Sequence, residues 1–202
     1  MLNKFAKILS VATHPYLTPL YLVLILLGTD SVYSLFPPKV KLYLIWVVIL
    51  YTLILPIITR GALHFIGRKK QYDILSRHAH ITSLLASNCC YMLCAITFMR
   101  SPALELFHKM ALAAFVTTIL LLISSKWIRP SAHLATFGVA VVFLIFLNII
   151  GVESFFKYLL ATILLSGVVA STHLYLGKET PLQLALGFAE GIIACIIAIL
   201  FI

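Results

Sequence analysis

Residues 133–150, HLATFGVAVVFLIFLNII, contain no charged side chain. A helix of about 20 residues crosses the hydrocarbon core of a bilayer. Here the apolar side chains surround the whole helix and do not form a single stripe. A helix that is apolar all round needs apolar surroundings all round. This run therefore predicts a membrane-spanning helix.

The composition of the whole chain fits the same surroundings. Of its 202 residues, 62% are hydrophobic and 10% are charged, and the mean hydropathy is +1.11. A soluble domain carries about 25% charged residues, so this chain has too few to cover a water-facing surface. We predict an all-α fold, a polytopic transmembrane bundle of about six to seven spanning helices, formed by residues 1–202 as a single domain.

Seven apolar segments are long enough to be candidates for these spans. The sixth is short, and the sequence leaves open whether it crosses completely. The segments are Ser10–Gly28, Leu42–Thr59, Ile81–Met99, Leu106–Ser125, His133–Ile150, Phe155–Ala170 and Leu182–Ile202.

The charge of the chain is unbalanced, with 15 Lys and Arg against six Asp and Glu and a net charge of +9. These basic residues lie between the apolar runs. We therefore expect membrane lipids as partners, anionic headgroups or a phosphorylated lipid among them, and no nucleic acid. A homo- or hetero-oligomer stays open. The four cysteines lie inside apolar segments, and we interpret them as small packing residues. We expect neither a metal nor a cofactor.

Seven crossings would place the N-terminus and the loops 60–80, 126–132 and 171–181 on one side of the membrane. Most Lys and Arg residues lie on that side, which favours a cytoplasmic location for it. Several of them are also candidates to bind phosphate, and without those the two sides carry equal numbers. The orientation therefore stays open.

Three of the loops on this side carry polar groups suited to an anion. They read RKKQYDILSRHAH (68–80), KWIRPSAH (126–133) and ASTHLYLGKETPLQ (170–183). The last two lead into apolar segments, and the free N–H groups at the start of a helix attract anions. Arg is suited to phosphate because its planar fork makes two parallel hydrogen bonds. Together the loops predict a phosphate site at headgroup level.

In order and spacing, the three loops resemble the motifs of the type 2 phosphatidic acid phosphatase superfamily of membrane lipid phosphatases. Lys70 and Arg77 match the first motif. Pro-Ser-Ala-His at 130–133 matches the second, with Ala132 in place of Gly. In the third motif, Thr172 and His173 stand at the Ser and Arg positions, Glu179 stands at the position of the nucleophilic His, and Gln183 stands at that of the Asp that orients it.

The resemblance implies cleavage of a phosphomonoester or pyrophosphate through a phosphohistidine, by an integral protein of a bacterial-type inner membrane. It implies His133, His173 and Glu179 as catalytic residues, with His133 protonating the leaving oxygen. Because the nucleophile and its partner are replaced, we expect impaired or altered catalysis. Gln183 and Glu190 are expected to support the pocket, and the phosphate is expected to be bound by Lys70, Arg77, Arg129 and Ser131.

Several of these residues also have simple structural explanations. Thr180 and Gln183 form a capping-box pattern with Pro181 at the first helical position. Glu179 fits a solvated acid near a helix start, and His173 fits a histidine bonded to a carbonyl. Glu190 lies about 15 Å inside the last segment; a carboxyl group there is paired or functional, either with a Ser or Thr of a neighbouring helix or with His133 or His173. We interpret His14, which precedes Pro15, as structural.

Two other functions remain compatible with the sequence. The chain fits a non-catalytic membrane subunit or a lipid-binding or transport protein on the same fold. Alternatively, His133, His173 and Glu179 are the ligand types of a metal-dependent hydrolase.

Overall fold

The computed structural model describes residues 13–29, 32–59, 61, 75–150 and 155–200; the side chains of Val32, residues 75–80 and Ser83 are outside the description. The described part is all helical, as predicted. Its helices, in chain order, are α1 (Thr18–Gly28), α2 (Pro38–Val48, continued by a π-helical turn over Ile49–Ile54), α3 (Leu75–Met99), α4 (Glu105–Ser124), α5 (Ala132–Ile150), α6 (Phe156–Tyr175) and α7 (Pro181–Leu200).

Five of the helical segments are long and apolar enough to cross a membrane, which indicates an integral membrane protein. They are Pro38–Thr59, Pro102–Ser124, Ala132–Ile150, Phe156–Tyr175 and Pro181–Leu200. α1 is shorter, with 11 residues. The seven predicted segments all contain a helix, but seven full crossings stay a prediction.

Two predicted boundaries were wrong in ways that matter for the site. α3 begins at Leu75 and not at Ile81, so Arg77 belongs to the first turns of a helix and not to a loop. α6 continues to Tyr175 and not to Ala170, so His173 lies in its last turn. The hydroxyl of Thr172 donates to the carbonyl of Val168 (2.7 Å), which lets this polar end stay helical.

The core of the bundle is formed by α3, α4, α5 and α7, with α1 and α2 packed beside it. Phe98, Phe107 and Phe143 are fully buried there. α5 and α7 approach with their backbones in contact, because Gly138, Gly187 and Gly191 have no side chain to separate them. α6 packs mainly on α5 and presents large apolar side chains outward, as a lipid-facing helix does.

Candidate active site at the ends of α5, α6 and α7

His173 and Glu179 meet at the end of α6, although six residues separate them. Gly177 has a positive φ of 61°, a conformation that favours glycine. The N–H of Gly177 donates to the carbonyl of Leu174 and that of Lys178 to the carbonyl of His173, a Schellman motif that reverses the chain. The reversal returns Glu179 to the His173 ring, and their Nδ1 and Oε2 atoms are 3.1 Å apart.

The start of α7 is held by the predicted capping box. The N–H of Thr180 donates to Oε1 of Gln183 (2.8 Å), and the N–H of Gln183 donates to the Thr180 hydroxyl (3.4 Å). The structural explanation of Gln183 is therefore confirmed. Its carbonyl also accepts a hydrogen bond from the N–H of Ser131 (2.9 Å), which joins the start of α5 to the start of α7.

Ser131 is fully buried where α5, α7 and the Glu179 segment come together. Its hydroxyl donates a hydrogen bond to the Glu179 carboxylate. The same oxygen accepts from the N–H of Leu134 (3.4 Å), so Ser131 also caps α5. Both contacts position groups within the protein. The role of Ser131 in binding phosphate stays a prediction.

His133 brings a second imidazole to the site from the first turn of α5. Its ring lies 4.7 Å from that of His173, centre to centre, at an angle of 61°. Nδ1 of His133 lies 3.1 Å from the carbonyl oxygen of Thr13. His14 adds a third ring, 5.7 Å from His133 and nearly perpendicular to it. Three imidazoles from three parts of the chain therefore form one cluster.

The hydrogen bonds define which ring nitrogens carry a proton. A carbonyl oxygen only accepts, so Nδ1 of His133 must donate to Thr13, and the neutral ring keeps a lone pair on Nε2. The same reasoning applies to His173, whose Nδ1 faces the carboxylate of Glu179. The His173 side chain is buried, and its Nε2 is without a hydrogen-bond partner among the described residues. A buried imidazole with this free lone pair is suited to a nucleophile or base.

Glu179 lies outside the helices and is ionised at neutral pH. Its partial burial acts to raise the pKa of this carboxyl group, but the hydrogen bonds from His173 and Ser131 and the two nearby imidazoles outweigh that effect. The net result is a lowered pKa. The carboxylate therefore holds the proton of His173 on Nδ1, and it stabilises positive charge on that ring whenever the ring is alkylated, phosphorylated or protonated at Nε2.

The structure gives less information on the predicted phosphate ligands. Lys70 lies outside the described residues, and of Arg77 only the helical backbone is described. Arg129 and Lys178 are exposed in the turns that flank the site. Binding of phosphate by these basic residues stays a prediction.

Glu190 bonds to a neighbouring helix and not to the histidines. The hydroxyl of Ser124 on α4 donates to its Oε1, which matches the simple structural explanation of this residue. The other carboxyl oxygen is buried without a partner among the described groups. Glu190 therefore ties α7 to α4 below the site, and its support of the pocket stays a prediction.

The alternative of a metal site finds no support in the geometry. Within the described ranges, no three His, Cys, Asp or Glu side chains are placed to hold a metal ion. His133 and His173 meet through their rings, and Nδ1 of each already has an oxygen partner.

The participation of Thr13 and His14 was missed in the sequence, where His14 was interpreted as structural. Both lie about 120 residues from His133, so no local spacing connects them to it. The one available signal was the His-Pro pair before an apolar run, on the same predicted side of the membrane as the three motifs.

In comparisons with known proteins, the chain matches no protein-family model, no curated protein and no solved structure. Fold and site therefore define a class only: a helical membrane protein with a buried histidine paired to a half-buried glutamate and with a second histidine facing that pair.

Proposed function

We propose that this protein is a membrane phosphohydrolase that cleaves a phosphomonoester or pyrophosphate at headgroup level, with His173 as the nucleophile and Glu179 as the group that orients it. The observation that supports it most is the buried His173 ring, whose Nδ1 is held by a carboxylate and whose Nε2 has no hydrogen-bond partner in the described part of the chain. In this proposal the resemblance to lipid phosphatases holds, but the histidine and the acid of the third motif each stand at an earlier position of the chain than in the family pattern. The histidine has moved to position 173, and the acid to position 179.

The proposed reaction has two steps. In the first, Nε2 of His133 carries a proton that the negative charge of the bound phosphate keeps there. The Nε2 lone pair of His173 attacks phosphorus, the bond from phosphorus to the leaving oxygen breaks, and His133 gives its Nε2 proton to that oxygen and becomes neutral. In the second, His133 takes a proton from water, the water oxygen attacks phosphorus, and the bond between phosphorus and Nε2 breaks. Inorganic phosphate leaves, and His173 returns to its starting form. Glu179 stabilises the positive charge on His173 in the intermediate.

A negative carboxylate beside a phosphate is unfavourable unless its charge is compensated. Here the carboxylate of Glu179 receives hydrogen bonds from His173 and Ser131 and is turned toward them. The basic residues of the three motifs, Arg129 among them, would supply the remaining positive charge. A pocket of this kind would bind the phosphoryl group and stabilise the charge that develops during transfer.

The experiment uses the full chain in lipid nanodiscs, with phosphate release measured over a panel of lipid phosphates and pyrophosphate. A quench with labelled substrate tests for a phosphoenzyme that is stable in base and labile in acid. We expect His173→Asn to lose turnover by about 10³-fold, the scale of losing a catalytic histidine, and to form no phosphoenzyme. His108→Asn is the matched control, since His108 bonds to the Ala95 carbonyl far from the site. Full turnover by His173→Asn would overturn the proposal.

A second variant separates this proposal from the family pattern. Glu179→His restores a histidine at the position where the resemblance places the nucleophile, but it removes the carboxylate from His173. If His173 is the nucleophile, this variant is less active than the wild type. A gain of activity would instead assign the nucleophile to position 179.

A further inference from the structure

A cavity of about 190 Å³ lies inside the bundle, next to the imidazole cluster. Its described walls come from α1, α3, α4, α5 and the segment before α1. His14 and His133 belong to the lining at one end, and Leu22, Met110 and Val139 belong to it further along the helices. The cavity therefore begins at the His14 and His133 side of the imidazole cluster and continues along the helices toward the middle of the bundle.

The length of the cavity follows from the helices that line it. Along α5, the lining extends from His133 to Val139, six residues or about 9 Å. Along α4, it extends from Leu121 to Met110, eleven residues or about 16 Å. A long, narrow space parallel to the helix axes fits a chain better than a compact headgroup.

The polar side chains in the walls are bonded to the protein. The Tyr16 hydroxyl lies 3.2 Å from that of Ser87, which joins the segment before α1 to α3. Thr18 donates to Thr136 (3.3 Å), which joins α1 to α5. Thr117 donates to the carbonyl of Ala113 within α4 (2.6 Å). Because these hydroxyls already have partners, the space they border favours an apolar occupant.

We infer that the cavity holds the hydrocarbon chain of the substrate, and that the substrate class is a phosphate or pyrophosphate ester of a single aliphatic chain. This inference rests on the proposed function, since the phosphate would lie at the imidazole cluster. An apolar cavity of about 150 Å³ holds one benzene ring, so this one has room for part of one chain and not for two. An isoprenoid and an acyl chain share this chemistry.

The first experiment compares substrates that differ only in their chains. Farnesyl phosphate and lysophosphatidic acid carry one chain of each source, dioleoyl phosphatidic acid carries two, and pyrophosphate carries none. We expect kcat/KM for the better of the two single-chain esters to exceed that for the two-chain lipid by about tenfold or more, the scale of a few contacts in a hydrophobic pocket. Equal or better use of dioleoyl phosphatidic acid would overturn the inference.

The second experiment narrows the cavity. Ala114→Phe places a ring in the wall contributed by α4, and Ala161→Phe makes the same change at an exposed position of α6. We expect Ala114→Phe to lower kcat/KM for the single-chain ester about tenfold more than for pyrophosphate, with no such difference in Ala161→Phe. Met110→Ala, which widens the cavity, tests the same wall if Ala114→Phe fails to fold, and it should shift preference toward bulkier chains. Equal losses on both substrates, or no shift in Met110→Ala, would contradict the inference.

A third readout separates failure of the inference from failure of the proposed function. An alkyl phosphate with a diazirine at the end of its chain is photolysed in nanodiscs, and the labelled peptides are mapped. Labelling of α4 and α5 that decreases in Ala114→Phe supports the chain site even if no phosphate is released by any version. Labelling confined to the outer face of α6 overturns the chain site even if the enzyme proves active.

Discussion

The two neighbours of α5 are held to it in different ways. α7 meets α5 backbone to backbone, through Gly138, Gly187 and Gly191, and Glu190 ties it also to α4. α6 packs mainly on α5, and 11% of its 18 most apolar residues are buried, against 33% for α7. Yet α6 carries His173. The group that we propose to react is therefore delivered by the loosely packed helix, and the rest of the site stands on the tightly packed pair.

The end of α6, which carries His173, must be held in place against the starts of α5 and α7. One connection from α6 to the α7 side is the hydrogen bond between His173 and Glu179, aligned by the Schellman turn. The same carboxylate accepts from Ser131 at the start of α5. Glu179 thus has two functions in our proposal: it orients the nucleophile and it fastens the end of α6.

Glu179→Gln gives the largest expected effect. The amide oxygen can still accept from Nδ1 of His173, but it no longer stabilises positive charge on the ring. We expect kcat to fall by about 10³-fold, the range found when the acid behind a catalytic histidine is neutralised. Rapid-quench kinetics in nanodiscs measures this, with the far Glu105→Gln as the matched control, since Glu105 pairs with Lys109 at the other end of α4. A kcat within twofold of the wild type would mean that Glu179 only fastens α6.

Gly191→Ala tests the close backbone contact between α5 and α7. A Cβ at this position would collide with the carbonyl of Ala135, and backbone atoms cannot move aside as a flexible side chain can. We expect the free energy of unfolding to fall by about 3 kcal/mol, as in overpacked cores. At Gly167 on α6 no described atom beyond its own turn of helix lies within 4 Å of an added Cβ, so Gly167→Ala should raise the free energy of unfolding by about 0.5 kcal/mol. Unfolding in mixed micelles measures both free energies. Equal effects of the two variants would contradict the difference in packing between α7 and α6.

Much of the bundle could be predicted because it depends on local properties. Each helix contains a run of apolar residues long enough to be recognised. Pro181 marks the start of α7, and Thr180 with Gln183 predicts its cap. The end of α6 was misplaced because Ser171 and Thr172 look like loop residues. Their hydroxyls donate back to carbonyls of the preceding turn, a bond that composition does not reveal.

The residues of the site could be predicted from the sequence, but not which of them contact each other. His133, His173 and Glu179 were all named from the motifs, yet the family pattern assigned the position of Glu179 to a nucleophile. That assignment gives no reason to expect a contact between Glu179 and His173. The contact depends on how Gly177 turns the chain. The ring of His14 escaped prediction for a different reason: it reaches His133 only through the packing of the bundle.

Thr180→Ala tests how much the cap at the start of α7 stabilises the protein. The variant removes the hydroxyl that accepts from the N–H of Gln183, and losing such a cap costs about 1 kcal/mol. In the matched change Thr172→Ala on α6, the lost hydroxyl bonds back to the carbonyl of Val168 within the same helix, so we expect a change below about 0.5 kcal/mol. Thermal unfolding in one detergent compares the two. A larger loss in Thr172→Ala would show that the end of α6 matters more than the cap of α7.

Acid should loosen α6 before it affects the α5–α7 pair. The pKa of Glu179 is lower in the folded protein than the ordinary value of 4.5. The stabilisation from its ionised form is therefore complete above the ordinary value and is lost as pH falls through the folded value. The thermal midpoint of the wild type should exceed that of Glu179→Gln by a constant amount from pH 7 to about pH 5, and the gap should close below about pH 4.5. Because protonated Glu179 and glutamine are both neutral, the two proteins should converge at the acid end. A gap that stays constant down to pH 3 would mean that the carboxylate charge does not fasten α6, and the hydrogen bond to His173 would then act through geometry alone.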